Sequence, residues 1–94
     1  MRVAVIGDGG WGTALALTLA RHGHAPRVWG PDAAYLGEIR ATRRNRKFLP
    51  GVELPETVAW TADPDEALAG AEAVVMVVPS KYVRATLERF AGAY

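Results

Sequence analysis

Cysteine is absent from this 94-residue chain, and neither sign of charge dominates, because eleven basic residues face ten acidic ones for a net charge of +1. Without cysteine the chain forms no disulfide and uses no thiol in catalysis, so we expect it in the reducing cytoplasm. The balanced charge argues neither for nor against a polyanionic partner.

Long apolar segments are also missing. No run approaches the ~18 apolar residues of a membrane-spanning helix, so no membrane span is expected. Because the first predicted strand begins at residue 2, we expect no signal peptide ahead of it. The chain has no internal repeat and no low-complexity segment, and its length suits one small domain.

The most informative feature that is present is a glycine-rich turn near the amino end. A short apolar strand runs into Gly7-x-Gly9-x-x-Gly12, and a helix-forming segment follows. Gly7 would allow a tight turn, Gly9 the approach of a pyrophosphate to the backbone, and Gly12 close packing of the helix on the strand. In this context the pattern predicts a dinucleotide-binding turn. The alternative is a glycine turn that serves packing alone.

Apolar patterning along the rest of the chain alternates between strands and helices. A continuous apolar run over 73–78 predicts a strand buried on both faces. The alternation predicts an α/β fold of the Rossmann type, a doubly wound parallel sheet of about four strands in the order 3-2-1-4. The later strands are predicted at 27–30, 57–61 and 73–78, and the helices at 11–22, 32–42, 63–70 and 81–91.

Capping residues predict where several helices begin or end. Gly23 fits the end of the first helix, and Asp32 fits the start of the second. Asp63 and Glu66 resemble a capping box at the third helix, and Ser80 fits the start of the last. Residues 43–56 form the longest irregular segment.

Four motifs, in order along the chain, carry a resemblance to one family. The chain contains Gly-x-Gly-x-Trp-Gly-Thr-Ala-Leu-Ala at 7–16, Trp-Gly-x-Asp at 29–32, Asn-x-x-Phe-Leu-Pro-Gly at 45–51 and Val-Val-Pro-Ser at 77–80. In these motifs it resembles the amino-terminal part of the bacterial NAD(P)-dependent glycerol-3-phosphate dehydrogenases.

The resemblance implies an activity for a complete family member. Such an enzyme interconverts sn-glycerol 3-phosphate and dihydroxyacetone phosphate with NAD or NADP, and a mostly helical second domain binds the small phosphorylated substrate. Residues 1–94 would form a partial dinucleotide-binding domain without the catalytic lysine. We therefore expect this chain alone to be inactive.

The resemblance also assigns cofactor contacts to particular residues. Gly10 and Trp11 would offer backbone N–H groups, and the turn at Pro79 would border the ribose groups. Tyr82 would place an aromatic ring against the cofactor; the alternative is an exposed helix residue. The predicted cofactor-binding residues are Gly7, Gly9, Gly10, Trp11, Gly12, Gly30, Pro31, Pro79 and Tyr82. No catalytic or metal-binding residue is assigned.

Three residues depart from the family pattern and bear on cofactor binding. Asp8 replaces a small residue, so we expect its side chain to point away from a pyrophosphate or to weaken binding. Gly10 lacks a usual hydroxyl or amide, and Pro31 lacks a usual cation at the adenosine ribose. Because strand two ends without an acid and Asp32 is the predicted helix cap, we expect affinities for NAD and NADP to differ by less than about tenfold.

Other polar clusters have simpler explanations than a binding site. One basic cluster comprises Arg40, Arg43, Arg44, Arg46 and Lys47. It fits a solvated loop at a helix end or a surface that attracts an anionic substrate, whereas a nucleic-acid site would need a wider basic surface with aromatic residues. Arg43 or Arg44 would reach a 2′-phosphate only if the loop folds back. His22 and His24 have no third ligand nearby in sequence, so no zinc site is expected.

Two further functions stay open on the sequence. One is a non-catalytic nucleotide-binding module, and the other is the cofactor domain of another dehydrogenase of the 3-hydroxyacid type. In the family, a fifth strand would follow the strand at 73–78. Since the chain stops before it, we expect self-association through the exposed strand 73–78.

Overall fold

Four parallel strands form one sheet in the computed structural model, which describes residues 1–91. The strands are β1 (Arg2–Ile6), β2 (Ala25–Trp29), β3 (Ala59–Thr61) and β4 (Ala73–Met76). The α-helices are α1 (Gly10–Arg21), α2 (Ala33–Thr42), α3 (Pro64–Leu68) and α4 (Val83–Phe90), and a 3₁₀ turn at Ser80–Tyr82 precedes α4. The last three positions of the predicted domain, 92–94, lie outside the described residues.

The strand order is β3-β2-β1-β4, which confirms the predicted α/β Rossmann-type sheet. β1 lies inside the sheet, where Val5 pairs with Val28 of β2 on one side and with Val75 of β4 on the other. Because all four strands are parallel, their carboxyl ends meet at one edge of the sheet, the edge at which folds of this kind bind ligands.

Each face of the sheet carries its own apolar core. Alternate residues of a strand point to opposite faces, so Val3 and Val5 join the core under α1 and α2, whereas Ala4 and Ile6 join the core under α3 and α4. The second core is closed by Phe90, which is 1% exposed. Within residues 1–91, no helix is long and apolar enough to cross a membrane.

β2 begins at Ala25 rather than at residue 27, so it includes a proline. Pro26 pairs with Val3 of β1, but β3 begins its pairing only at Arg27. The missing N–H of Pro26 therefore interrupts no hydrogen bond to β3, and proline is tolerated at this strand end. β3 is also shorter than predicted, with three residues.

β4 differs most from its prediction. It spans Ala73–Met76 instead of 73–78, although Val77 still donates a backbone hydrogen bond of 2.8 Å to Ile6. The expectation of burial on both faces is wrong for the described residues, since Val74 and Val75 are 48% and 36% exposed. The physical reason is that β4 pairs only with β1 and lies at the sheet edge.

The helix ends confirm three predicted caps and correct two other predictions, those for Glu66 and Ser80. Asp32 accepts a hydrogen bond from the Tyr35 amide at 3.1 Å, and Gly23 follows α1 with a left-handed φ of +83°. Asp63 caps α3 by accepting a hydrogen bond from the Asp65 amide at 3.0 Å. Glu66 completes no capping box, because the Asp63 amide donates instead to the Thr61 hydroxyl at 3.0 Å. Ser80 does not cap α4 with its side chain; it opens the 3₁₀ turn instead.

Candidate functional site

The glycine turn between β1 and α1 is built on two close approaches of backbone to backbone. Gly7 has a φ of +132°, and a Cβ there would lie 2.8 Å from the carbonyl oxygen of Val77. A Cβ on Gly12 would collide with the carbonyl of Gly7. Both glycines are thus required by the fold itself, in the packing roles that the sequence predicts for them.

Gly9 has no such structural requirement. Its backbone is extended, with φ −68° and ψ −175°, and a Cβ there would meet nothing within 4 Å. Gly9 is also the N-cap of α1, where no side chain of the described residues caps the helix. The start of α1 therefore has no side-chain cap, and the open space beside Gly9 fits an anionic group such as a pyrophosphate.

A cavity of about 660 Å³ opens in front of this turn. It lies at the carboxyl ends of β1, β2 and β4, between the start of α1 and the inner face of α4. Seven of the nine predicted contacts line it: Gly7, Gly9, Gly10, Trp11, Pro31, Pro79 and Tyr82. Gly12 and Gly30 do not line the cavity, because Gly12 lies against the carbonyl of Gly7 and Gly30 against the side chain of Asp8.

The cavity also has wall residues that the sequence did not assign as contacts. Thr86 and Arg89 of α4 line it together with Tyr82, at spacings that put them on one helix face. The Arg89 guanidinium carbon lies 5.1 Å from the ring centroid of Trp29. Helical periodicity from Tyr82 onward is the signal that points to Thr86 and Arg89.

Asn45 joins the long loop to the glycine turn. Its side chain is fully buried, and its Nδ2 donates to the carbonyl of Asp8 and to the Thr13 hydroxyl, each at 2.8 Å. Its Oδ1 accepts from the Tyr35 hydroxyl and from the Phe48 amide. These bonds hold Phe48 at the cavity wall, where its carbonyl oxygen lies 3.0 Å from a Cβ built on Gly10.

The side chain of Asp8 turns toward the end of β2. Its Cγ lies 2.6 Å from the position of a Cβ on Gly30, so it occupies the space that a side chain at residue 30 would fill. Burial raises the pKa of the Asp8 carboxyl and the nearby Asp32 charge adds to this, while a hydrogen bond to its own backbone and the charge of Lys47 lower it.

Three of the five residues in the basic cluster have partners of their own, of which Arg40 donates to the Trp60 carbonyl at 3.4 Å. The Arg43 guanidinium donates to the carbonyls of Leu54, Pro55 and Val58, so it is directed away from the cavity. Arg46 forms an ion pair with Glu38, at 2.6 Å. Within residues 1–91, no three His, Cys, Asp or Glu side chains gather as a metal site.

Comparison with known proteins identifies the family. The model described as NAD-dependent glycerol-3-phosphate dehydrogenase N-terminus matches residues 2–94. The chain belongs to this family. Its members are NAD(P)-dependent oxidoreductases, and the cofactor-binding region of the family is the part that this chain matches.

Individual relatives agree with this assignment. The chain is 52% identical over 87 residues to a glycerol-3-phosphate dehydrogenase [NAD(P)+] of Thermus thermophilus, covering 93% of this chain and 27% of the relative. A relative of the same description from Xanthomonas campestris is 43% identical over 90 residues, covering 96% of this chain and 26% of the relative. The chain thus spans about a quarter of the length of these relatives.

Solved structures agree on the fold. The crystal structure of a glycerol-3-phosphate dehydrogenase from Coxiella burnetii superposes with a TM-score of 0.91 at 35% identity, covering 98% of this chain and 28% of that one. The yeast glycerol-3-phosphate dehydrogenase superposes with a TM-score of 0.85 at 23% identity, over 99% of this chain and 30% of that one, and supports the fold alone.

Proposed function

We propose that this chain is the cofactor-binding part of an NAD(P)-dependent glycerol-3-phosphate dehydrogenase. The complete protein would interconvert sn-glycerol 3-phosphate and dihydroxyacetone phosphate. The observation that carries the proposal is the cavity at the strand ends, into which Gly9 and the uncapped start of α1 open. This is the arrangement that a pyrophosphate requires, because amide groups and the helix dipole favour its charge.

The proposal assigns a role to each of five residues of the cavity wall. Gly10 and Trp11 offer backbone amides at the start of α1, and Pro31 borders the adenosine half at the end of β2. Beyond β4, Pro79 borders the ribose groups and Tyr82 places its aromatic ring against the cofactor. When bound, the nicotinamide cofactor supplies the hydride chemistry. The residues of this chain bind and orient it, and the groups that act on the substrate lie outside this chain.

Titration with NADH and then NADPH, by calorimetry, tests the binding role. We expect saturable binding, weakened at least about tenfold (~1.4 kcal/mol) by Gly9→Val, whose side chain would enter the pyrophosphate space. The fold should tolerate this change, since nothing lies within 4 Å of that Cβ. The matched control is Gly37→Val, which adds the same side chain in open space on α2, away from the cavity.

Two results would contradict the binding role. Absence of binding by folded protein would show that it has no cofactor site. Equal binding by Gly9→Val would show that the phosphates do not lie beside Gly9. Tighter binding of ADP than of NADH, without redox activity in the complete protein, would favour a non-catalytic nucleotide-binding module instead.

An activity assay tests the substrate. We expect the complete protein to oxidise sn-glycerol 3-phosphate with formation of reduced cofactor, and the 94-residue chain alone to show no turnover. Oxidation of a 3-hydroxyacid in place of glycerol 3-phosphate would favour the other dehydrogenase class. The cytoplasm is the proposed location, on the cysteine-free composition alone.

Self-association of the 94-residue chain through β4 is part of the same proposal. In the described residues, β4 pairs with β1 on one side only, and its Val74 and Val75 are substantially exposed. An unpaired strand edge with apolar side chains favours pairing with another strand. We propose a second copy of this chain as the partner.

A further inference from the structure

The carboxyl group of Asp8 lies at an unusual place for a residue of the glycine turn. It lies against Gly30, directly after β2, and a Cβ at residue 30 would collide with it. Many NAD-binding folds of this type place an acidic residue at the end of the second strand, where its carboxylate binds the adenosine ribose. Here the residue after β2 is Gly30, and the Asp8 carboxylate reaches the same place from the turn that follows β1.

The backbone of Asp8 is fixed, so its side chain has a defined starting direction. The Asp8 carbonyl accepts hydrogen bonds from the Asn45 amide at 2.8 Å and from the Thr13 hydroxyl at 3.1 Å. Both donors are fully buried. A carboxylate held by an anchored backbone is preorganised for a ligand, which reduces the cost of ordering it on binding.

We infer that Asp8 is a specificity-determining residue whose carboxylate faces the adenosine ribose and selects NAD against NADP. The inference rests on the proposed cofactor site. A carboxylate accepts hydrogen bonds from ribose hydroxyls, whereas it repels the additional phosphate that NADP carries on that ribose. Asp8 lines the cavity beside Pro31, where the adenosine half is proposed to lie.

The charges around Asp8 also favour NAD over NADP. Asp32 and Lys47 are the charged side chains that act on Asp8. Asp8, Asp32 and Lys47 together carry two negative charges and one positive charge, so this group of three disfavours a phosphate dianion beside Asp8. The Arg43 guanidinium, a candidate for binding that phosphate, is bound to backbone carbonyls instead. The earlier expectation of weak discrimination rested on a strand end without an acid or a cation, and it considered Asp8 only in relation to the pyrophosphate.

Relocating the carboxylate provides the sharpest test. We would measure dissociation constants for NADH and NADPH with the purified full-length protein and with Asp8→Asn, Asp8→Gly and the double variant Asp8→Gly/Gly30→Asp. The control is Glu56→Gln, which also removes one negative charge. Glu56 precedes β3 and so lies at the amino ends of the strands, whereas the cavity lies at their carboxyl ends. Circular dichroism would establish that each variant is folded.

We expect the unmodified protein to prefer NADH by roughly tenfold or more, and Asp8→Asn and Asp8→Gly to reduce this ratio toward one. The double variant should restore the preference, because it returns a carboxylate to the same place from the strand end. Glu56→Gln should leave the ratio unchanged.

Two results would overturn the inference while leaving the cofactor site intact. One is a preference for NADPH in the unmodified protein, and the other is an unchanged ratio in folded Asp8→Asn and Asp8→Gly with both cofactors still bound. Failure of the unmodified protein to bind either cofactor is a different result, which would overturn the proposed function itself.

Discussion

At the scale of single residues, Asp8 illustrates how a site can be assembled at the expense of stability. Its carboxyl is partly buried near the Asp32 carboxylate, and both effects raise its pKa above the ordinary value of 3.8. Lys47 and a hydrogen bond to its own backbone offset only part of this. Such a penalty is typical of groups placed for a ligand rather than for folding.

The raised pKa gives a pH-dependent prediction for stability. The folded state holds the Asp8 proton more tightly than the unfolded state, so stability falls as pH rises from about 3.8 through the folded pKa. We therefore expect Asp8→Asn to unfold at a higher temperature than the unmodified protein at pH 7. Below the ordinary pKa the difference should disappear.

Thermal unfolding of the two proteins in parallel, from pH 3.5 to pH 7, is the measurement. A difference that stays constant across this range would show that ionisation of Asp8 is not its cause, as would lower stability of Asp8→Asn at pH 7.

At the scale of elements, the site depends on a loop that is far from it in sequence. The glycine turn and loop 43–56 are joined by the buried side chain of Asn45, which donates two hydrogen bonds and accepts two. Asn45 thereby fixes Phe48 beside Gly10. Loops on the surface of a sheet are commonly mobile, and a buried polar contact of this kind gives the loop one position.

Removing this contact should be costly. Asn45→Ala leaves the Tyr35 hydroxyl without its acceptor and the Asp8 carbonyl without one of its donors, and we expect a loss of about 2–3 kcal/mol in the free energy of unfolding. Weaker binding of NADH should accompany it, because the turn loses its support. Denaturant unfolding and calorimetric titration measure the two effects.

Thr42→Ala is a suitable control for Asn45→Ala. It removes an exposed hydroxyl at the end of α2 that donates to the Glu38 carbonyl at 2.8 Å and accepts from the Arg44 amide at 3.3 Å, and should cost no more than about 0.5 kcal/mol, because solvent replaces these partners. An equally small loss for Asn45→Ala would mean that water or a rearranged loop replaces its bonds.

At the scale of the whole molecule, the sheet has β3 and β4 as its edge strands and an apolar core on each face. The two cores alternate along β1, so its residues 3–6 are buried on one face or the other, whereas Arg2 is exposed. β4 forms one edge, and its Val75 is 36% exposed although it pairs with the buried Val5. The open side of β4 is the basis for the proposed self-association.

Sedimentation velocity over a range of concentrations tests this proposal on the 94-residue chain. We expect a concentration-dependent dimer, and we expect Val75→Lys to shift the population to monomer, because charged side chains on an edge strand oppose pairing. Leu87→Lys is the matched control, since Leu87 is 42% exposed on α4 and away from the strand. A monomer at every concentration would contradict the proposal.

Sequence patterns predicted the structure correctly where one short segment determines it. The turn from β1 to α1, the cap at Asp32 and the left-handed Gly23 depend on neighbouring residues, and each is found where predicted. The strand order also followed, because parallel strands joined by helices permit few arrangements. The sequence pattern did not predict the exposure of the strand at 73–78, since burial depends on how many strands and helices pack against it.

The sequence by itself determined the fold class, the glycine turn and the family, because these rest on local periodicity and on motifs of adjacent residues. Only the tertiary structure decided that Asp8 lies against Gly30 and that Asn45 joins a distant loop to the turn. The physical reason is distance along the chain: these contacts join segments that no local pattern relates, and packing of the sheet and helices alone brings them together.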